Sequence, residues 1–279
     1  MQPQDVIQKL NRSTIQHGLY NRRIYLMKLH PDDLPQIIPR MDALAQAQGY
    51  GKILAKIPGR HAALLTRAGY NLEGAIPKYF MNQDEAFFMS KYLSVRRKKA
   101  LDSEYIREIL SLTARRRHKP PKKLMGHQRS FQHCRPEDAR EMSELFQAVF
   151  ETYPFPVFDP GYLIESMRRQ NHYFCIRRKG RMIAIAASEI DTQNRSAEMT
   201  DFATLSKHRG QGLAGYLLME MEQAMAREGM QTLFSIARAL SPAINITFGD
   251  AGYTFGGTLI NNTNISGRIE SMNIWYKQL

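Results

Sequence analysis

Two hydrophobic periods alternate along the C-terminal half of the chain. After Arg135-Pro136-Glu137-Asp138, apolar residues at Met142, Leu145, Phe146, Val149 and Phe150 fall on one helical face. This predicts an amphipathic helix opened by proline and acids. Pro154, Pro156 and Pro160 interrupt the chain before a short helix over about 162–169. Strands are predicted at 173–177 and 182–190, around the turn Arg178-Lys179-Gly180-Arg181, and again at 198–205. Helical spacing returns at Leu213, Leu217, Leu218, Met221, Ala224 and Met225 and stops at Gly229. A strand at 232–237, a short helix at 242–251 and strands at about 254–261 and 268–275 complete the order. That order predicts an α+β protein with a mixed sheet flanked by helices, and excludes a Rossmann unit or a barrel.

The N-terminal part repeats half of this pattern. It reads as a strand at 23–28, a helix from Pro31-Asp32-Asp33 to about Gln48, a strand at 52–57 and a helix at 60–67. Ala68-Gly69-Tyr70 followed by Gly74 has the spacing of Ala251-Gly252-Tyr253 followed by Gly257. Nineteen residues beyond each Tyr stands a Met, Met89 or Met272, in the strand-like runs 86–92 and 269–276. Residues 23–93 are therefore expected to repeat the second half of 131–279. Three units follow: 1–93, a degenerate α/β segment; 94–129, a connector with a short helix; and 130–279, the full domain. A half-domain with a bare sheet edge needs cover. Fusion of the two sheets is expected rather than pairing with a second copy; both monomer and homodimer stay open.

Composition narrows the class. The chain is 43% hydrophobic and 23% charged, an ordinary globular balance. Two cysteines, Cys134 and Cys175, make no disulfide framework and no metal-ligand pair, so no metal is expected. No basic segment followed by an apolar run opens the chain, and the longest apolar run, 182–187, is far short of a membrane span. A cytoplasmic protein with no membrane partner is expected. The net charge of +13 is local: residues 95–129 carry twelve Lys or Arg against three Asp or Glu. That segment reads as a solvated linker, or as a face for an acidic partner. No aromatic stacking pattern accompanies it, which argues against nucleic acid.

The sharpest motif is Arg209-Gly210-Gln211-Gly212-Leu213-Ala214, between a predicted strand and a predicted helix. First-turn amides lack intrahelical partners and the helix dipole adds positive charge, so this is an anion cradle. A P-loop needs Lys then Ser or Thr where Leu213 and Ala214 stand, and a Rossmann turn needs a longer glycine spacing. The N-terminal copy has His30-Pro31-Asp32-Asp33 here, whose acids would repel a pyrophosphate, so one cofactor per chain is expected.

The loop and the element order resemble the GNAT superfamily of acetyl-CoA-dependent N-acetyltransferases over about 150 residues. The resemblance implies a GNAT fold whose sheet splays beside the loop and takes acetyl-CoA. Carried onto this chain, Phe202, Ala203 and Thr204 flank the pantetheine, and Arg209, Gly210, Gln211, Gly212, Leu213, Ala214 and Gly215 hold the pyrophosphate. Asn245 and Phe248 would lie beside the cofactor. Many relatives carry a proton-donating Tyr at the position of Phe248, which leaves the acid open: Tyr216, water, or none. The runs Asn245–Phe248, 256–265 and 269–276 are further similar to the β-lysine N6-acetyltransferases, which make an osmoprotecting solute. This implies a small dicationic acceptor with one carboxylate.

Amide formation needs a deprotonated amine, and an alkyl ammonium has a pKa near 10, so a general base is expected. Glu198 and Asp201 are the candidates, Asp201 first for its proximity to the loop. Three apart, they face opposite sides of a strand unless a bulge intervenes. Asn261, Asn262, Thr263 and Asn264, read as a polar run between two strands, are expected with Glu270 to line the acceptor site, and Tyr153 and Phe155 to wall it. The alternatives are a protein, peptide or polyamine acetyltransferase, and a non-catalytic acyl-CoA-binding or nucleic-acid-associated module.

Overall fold

The computed structural model describes residues 4–116 and 129–279. In the N-terminal segment β1 (Val6–Leu10), β2 (Ser13–Gly18) and β3 (Arg23–Lys28) form an antiparallel meander. Helix α1 (Ile37–Ala47) returns the chain to β4 (Lys52–Pro58), which runs parallel to β3. Helix α2 (Ala62–Arg67) leads to the hairpin β5 (Asn71–Phe80) and β6 (Asp84–Tyr92). The connector holds α3 (Val95–Lys98) and α4 (Ser103–Ala114). Strand β7 (Arg129–His133), helices α5 (Ala139–Val149) and α6 (Pro160–Arg168), and the meander β8 (Asn171–Arg178), β9 (Arg181–Asp191) and β10 (Ser196–Thr204) follow. Then come α7 (Leu213–Arg227), β11 (Thr232–Arg238), α8 (Pro242–Asp250) and the hairpin β12 (Thr254–Ile265) and β13 (Arg268–Gln278).

Thirteen strands form one sheet in the order β1-β2-β3-β4-β6-β5-β12-β13-β11-β10-β9-β8-β7. Outward from the centre, both directions read the same: a hairpin, a parallel pair, then an antiparallel meander. The bulges recur as well. Register shifts fall at Leu72/Gly74 and Ile76/Phe80 in β5, and at Phe255/Gly257 and Leu259/Thr263 in β12, each 183 positions later. Gly74 and Gly257, equivalent by the repeat, pair with each other at the junction. One apolar core crosses it, joining Tyr25, Leu54, Tyr79 and Phe88 to Phe146, Tyr173, Leu259 and Met272.

Several expectations are corrected. The helix from Pro31 is a single tight turn, Pro31–Asp33, because Pro35 pushes Leu34 into extended backbone and α1 starts only at Ile37. Strand β5 holds Gly74 and Pro77 beside its bulges. Asn261–Asn264 is not a turn but part of β12; the turn is Ser266-Gly267, with φ of 52° and 81°. The connector helix α4 is no solvated linker: it buries Ile106, Ile109 and Thr113, and Arg116 holds Asp250 at the end of α8 through two bonds of 3.0 and 2.9 Å. Part of the basic run lies outside the described residues. Among the described residues no helix is long and apolar enough to cross a membrane.

Candidate active site

The site begins where two parallel strands part. Strand β10 pairs with β11 only from Ser196–Glu198 against Thr232–Phe234, then diverges from it while remaining paired with β9. The cause is a bulge between Thr200 and Ala203, at which Asp201 takes φ of 56°. Asp tolerates this left-handed backbone better than most residues, and such strain gathers at functional sites. In the N-terminal half the equivalent pair does not part: β3 and β4 stay paired through Leu26 and Ala55.

Beyond the gap lies the glycine loop. Gly210 and Gly212 have φ of 74° and 75°, and nothing stands within 4 Å of where a Gly210 Cβ would be. The first helical bond of α7 runs from Tyr216 N–H to the Gly212 carbonyl, 3.1 Å. The amides of Leu213, Ala214 and Gly215 precede it and point out of the helix start, with Arg209 beside them. The splayed strands, the open space at Gly210 and these donors fit a pantetheine arm and its pyrophosphate.

A cavity of about 880 Å³ runs from this loop into the junction of the two halves. Glu189 and Glu198 face each other across β9 and β10, and Asp201 follows on the bulge; all three line the cavity. Burial pushes the carboxyl of Asp201 up to about 6, against hydrogen bonds from Tyr153 (2.5 Å) and Thr200 (3.3 Å) that hold it down. Burial raises Glu198 to about 7, with Lys56 opposing and Asp201 adding to the shift. Glu189 rises to about 8 through burial and the charges of Glu198 and Asp201. The bulge thus puts both predicted base candidates on one cavity, which an unbroken strand would forbid.

Residues 139–246 match the model of the acetyltransferase (GNAT) family. The chain is 37% identical to a β-lysine N(6)-acetyltransferase of Methanococcus maripaludis, over 96% of this chain and 97% of that protein. The chain belongs to the GNAT family of acetyltransferases. It is also 31% identical to the N-acetyltransferase YodP of Bacillus subtilis, over 96% of each chain. A β-lysine N(6)-acetyltransferase of Methanosarcina mazei is 28% identical over 88% of this chain and 97% of its own. Like the rest of the family, the protein takes its acetyl group from acetyl-CoA.

Among the residues expected at the cofactor, Phe202, Thr204, Arg209, Gly210, Gly212, Leu213, Ala214 and Gly215 line the cavity. Gln211 is exposed on the loop but not on the cavity wall, and Ala203 points into the core. Phe248 is fully buried against Phe202 and Tyr253, ring centroids 5.7 and 5.0 Å away, and is a core residue. Tyr216 packs its ring edge on Phe131 at 6.2 Å and does not reach the cavity.

Asn245 is also corrected. Its amide donates to the carbonyls of Arg238 (2.9 Å) and Ser241 (2.8 Å), and its oxygen accepts from Asn273 (2.8 Å) and Trp275 (2.9 Å). Fully bonded and fully buried, it has nothing left for a ligand. Asn245→Ala should therefore destabilise the fold by about 3 kcal/mol, because Trp275 and Asn273 lose their acceptor in the core. Thermal unfolding checks this; an unchanged melting temperature would refute it.

The acceptor residues divide. Tyr153, Phe155 and Asn262 line the cavity. Asn261 instead donates to the carbonyls of Arg97 (2.9 Å) and Lys99 (2.8 Å), and Asn264 ties β12 to Tyr20 and Asn21. Glu270 does not face the cavity; it grips Arg238, which does, through bonds of 3.0 and 2.9 Å. The bulge in β12 also frees its carbonyls from the ladder. Lys52 donates to Ile260 O, Arg97 to Asn261 O and Arg23 to Asn262 O, each at 2.7 Å.

The sequence reading missed the contribution of the N-terminal half. Gln16, Arg23, Tyr25, Met27, Lys56 and Tyr79 all reach the cavity. Lys56 donates to the Tyr79 hydroxyl at 2.9 Å and lies 5.6 Å over the ring of Phe234 in the other half. Only the repeat, extended to a shared sheet, could have signalled this. Glu189 was missed too, though a carboxylate closing the apolar run at 182–187 was a visible anomaly.

Proposed function

We propose that this protein transfers the acetyl group of acetyl-CoA to the N6 amine of β-lysine. The observation that carries the reading is the cluster of Glu189, Glu198 and Asp201 at the point where β10 leaves β11. A cavity with three carboxylates beside an acyl-CoA cradle suits a small polycationic acceptor. The two relatives that bear the β-lysine name, matched nearly end to end, support the choice of amine.

Acetyl-CoA, when bound, supplies a thioester carbonyl beside the gap between β10 and β11. Asp201, oriented by the Tyr153 hydroxyl, takes the proton of the acceptor ammonium. Glu189 and Glu198 present carboxyl oxygens to the cationic amine at the gap, and its charge, like that of Lys56, favours their ionised forms against burial. The new bond joins nitrogen to the acetyl carbon, the carbon–sulfur bond breaks with its electron pair going to sulfur, and the second proton on nitrogen passes to solvent. With phenyl rather than phenol at position 248, the chain offers no proton there. None is required, since an aliphatic thiol has a pKa near 8.5 and leaves as thiolate near neutral pH.

The test is to incubate the protein with acetyl-CoA and a panel of β-lysine, α-lysine, spermidine and a histone-like peptide, following thiol release and product mass. The value of kcat/KM for β-lysine should exceed the others by at least about tenfold. Turnover on the peptide with none on β-lysine would sink the reading.

A further inference from the structure

Arg23 is 4% exposed and forms no ion pair with any carboxylate among the described residues. Its neighbours make this more unusual. Lys52 and Arg97 are also buried or nearly so; among the described residues Glu73 is the one carboxylate that bonds to this group, through Lys52 at 2.8 Å, and Asp5 acts on Arg23 and Arg97 by its charge alone, so three cations face two carboxylates. Burial lowers Arg23 and Arg97 to about 10 and Lys52 to about 7. A guanidinium kept charged in such a place, with surplus positive charge behind it, is the expected partner of an anion.

Three buried polar atoms here have no hydrogen-bond partner: Arg23 Nε, Gln16 Nε2 and Asn262 Oδ1. All three residues line the cavity, and they adjoin one another: Arg23 bonds to the Asn262 carbonyl at 2.7 Å and reaches Gln16 Oε1 at 3.5 Å. The set comprises two donors and one acceptor. Arg23, Tyr25 and Met27 alternate along β3 and all reach the cavity, and the Arg23 guanidinium lies 5.4 Å over the Tyr25 ring. Tyr25 is close enough to Glu198 to feel its charge. The cavity is therefore dipolar, with carboxylates beside the cofactor gap and a guanidinium beyond Tyr25.

We propose that Arg23 and Gln16, from the N-terminal half, bind the carboxylate of the acceptor, and that Asn262 Oδ1 accepts from its second ammonium. The degenerate half thus selects an amino acid over the corresponding decarboxylated diamine. This rests on the acetyltransferase reading above and names the polarity of its acceptor: carboxylate at the junction, reacting amine at Asp201. Small side-chain shifts at Arg23 and Gln16 bring their unpartnered donors onto the ligand.

The test compares β-lysine with the diamine that lacks only its carboxylate. The parent should prefer β-lysine by about 100-fold in kcat/KM. Arg23→Gln should lower kcat/KM for β-lysine by about 100-fold, mainly through KM, and leave the diamine within threefold; Arg23→Lys should recover about tenfold. An equal loss on both substrates, or none on either, overturns the proposal. If Arg23→Gln shows no thermal stabilisation by acetyl-CoA and so has not folded, Gln16→Leu decides. It should raise KM for β-lysine about tenfold and not that of the diamine, and an unchanged KM overturns the assignment. If the parent acetylates the diamine as well as β-lysine, the carboxylate site falls while the transferase reading stands. If the parent prefers another amine, the β-lysine reading falls, and the Arg23→Gln comparison on that amine with and without its carboxylate decides the site.

Discussion

Asp201→Asn should lower kcat/KM on the acceptor by about 100- to 1,000-fold at pH 7, and should change the shape of the pH profile. The parent needs Asp201 ionised, and burial has raised its carboxyl to about 6. Activity should therefore rise about tenfold per pH unit below 6 and level off above it. The amide cannot take a proton, so turnover then depends on acceptor that is already neutral. For an alkyl amine of pKa near 10.4 that is roughly four parts in ten thousand at pH 7. The variant's rate should keep climbing through pH 9, so the two enzymes converge in alkali. A residual limb near 7 or 8 would instead mark Glu198 or Glu189, which burial raises to about those values, as the base. A parallel loss at every pH would sink both assignments. Stability serves as the control, and its sign is opposite to the usual acid. The folded carboxyl titrates above its ordinary value near 3.8, so ionisation opposes folding as pH rises from about 4 to 6. At pH 7 the amide variant should melt no lower than the parent.

The prediction turns on a bulge, and bulges mark the limit of what the sequence disclosed. Local periodicity gave the helices that bury one face, such as Met142, Leu145 and Phe146 in α5, because those contacts repeat within one element. The loop Arg209–Ala214 was legible because its chemistry is local: glycines where φ is positive and amides at a helix start. Asp201 and Glu198 were found as residue types on the right strand, but their common access to the cavity follows from the extra residue between Thr200 and Ala203. Asn245 was expected at the cofactor from the family resemblance, and Asn261, Asn264 and Glu270 at the acceptor as part of a polar run and the strand after it. They are spent on other groups: on Arg238, on the Asn273–Trp275 pair, and on backbone of the connector and of the N-terminal half. Those partners lie far away in sequence, which no window of residues reveals. The spacing of Gly69, Tyr70 and Gly74 was the one long-range signal, and it pointed to the junction itself.

Gly257→Ala should therefore be among the most disruptive small substitutions in this protein, although it adds one methyl group outside both the loop and the carboxylate cluster. Gly257 has φ of 137°, a conformation open to few side chains, and a Cβ there would stand 2.2 Å from Glu73 O and 2.5 Å from Gly74 Cα. Those atoms are backbone of β5, so relief requires the two halves of the sheet to move apart. Strain and overpacking together should cost about 3 kcal/mol or more, a fall of roughly 6–12 °C in melting temperature. Gly180→Ala is the matched control: its φ is 78° but nothing lies within 4 Å, so it should cost only about 1 kcal/mol. The junction also sets the position of Arg23, Tyr25 and Lys56 against Glu189 and Glu198. Folded Gly257→Ala protein should thus lose about 100-fold in kcat/KM for the acceptor, since small misplacements of binding groups are severely felt. The affinity for acetyl-CoA should stay within about threefold, because α7 and its loop belong wholly to the C-terminal half. Calorimetry of acetyl-CoA binding beside acceptor kinetics separates the two effects. Equal loss of both would mean that the junction supports the whole domain rather than the acceptor pocket.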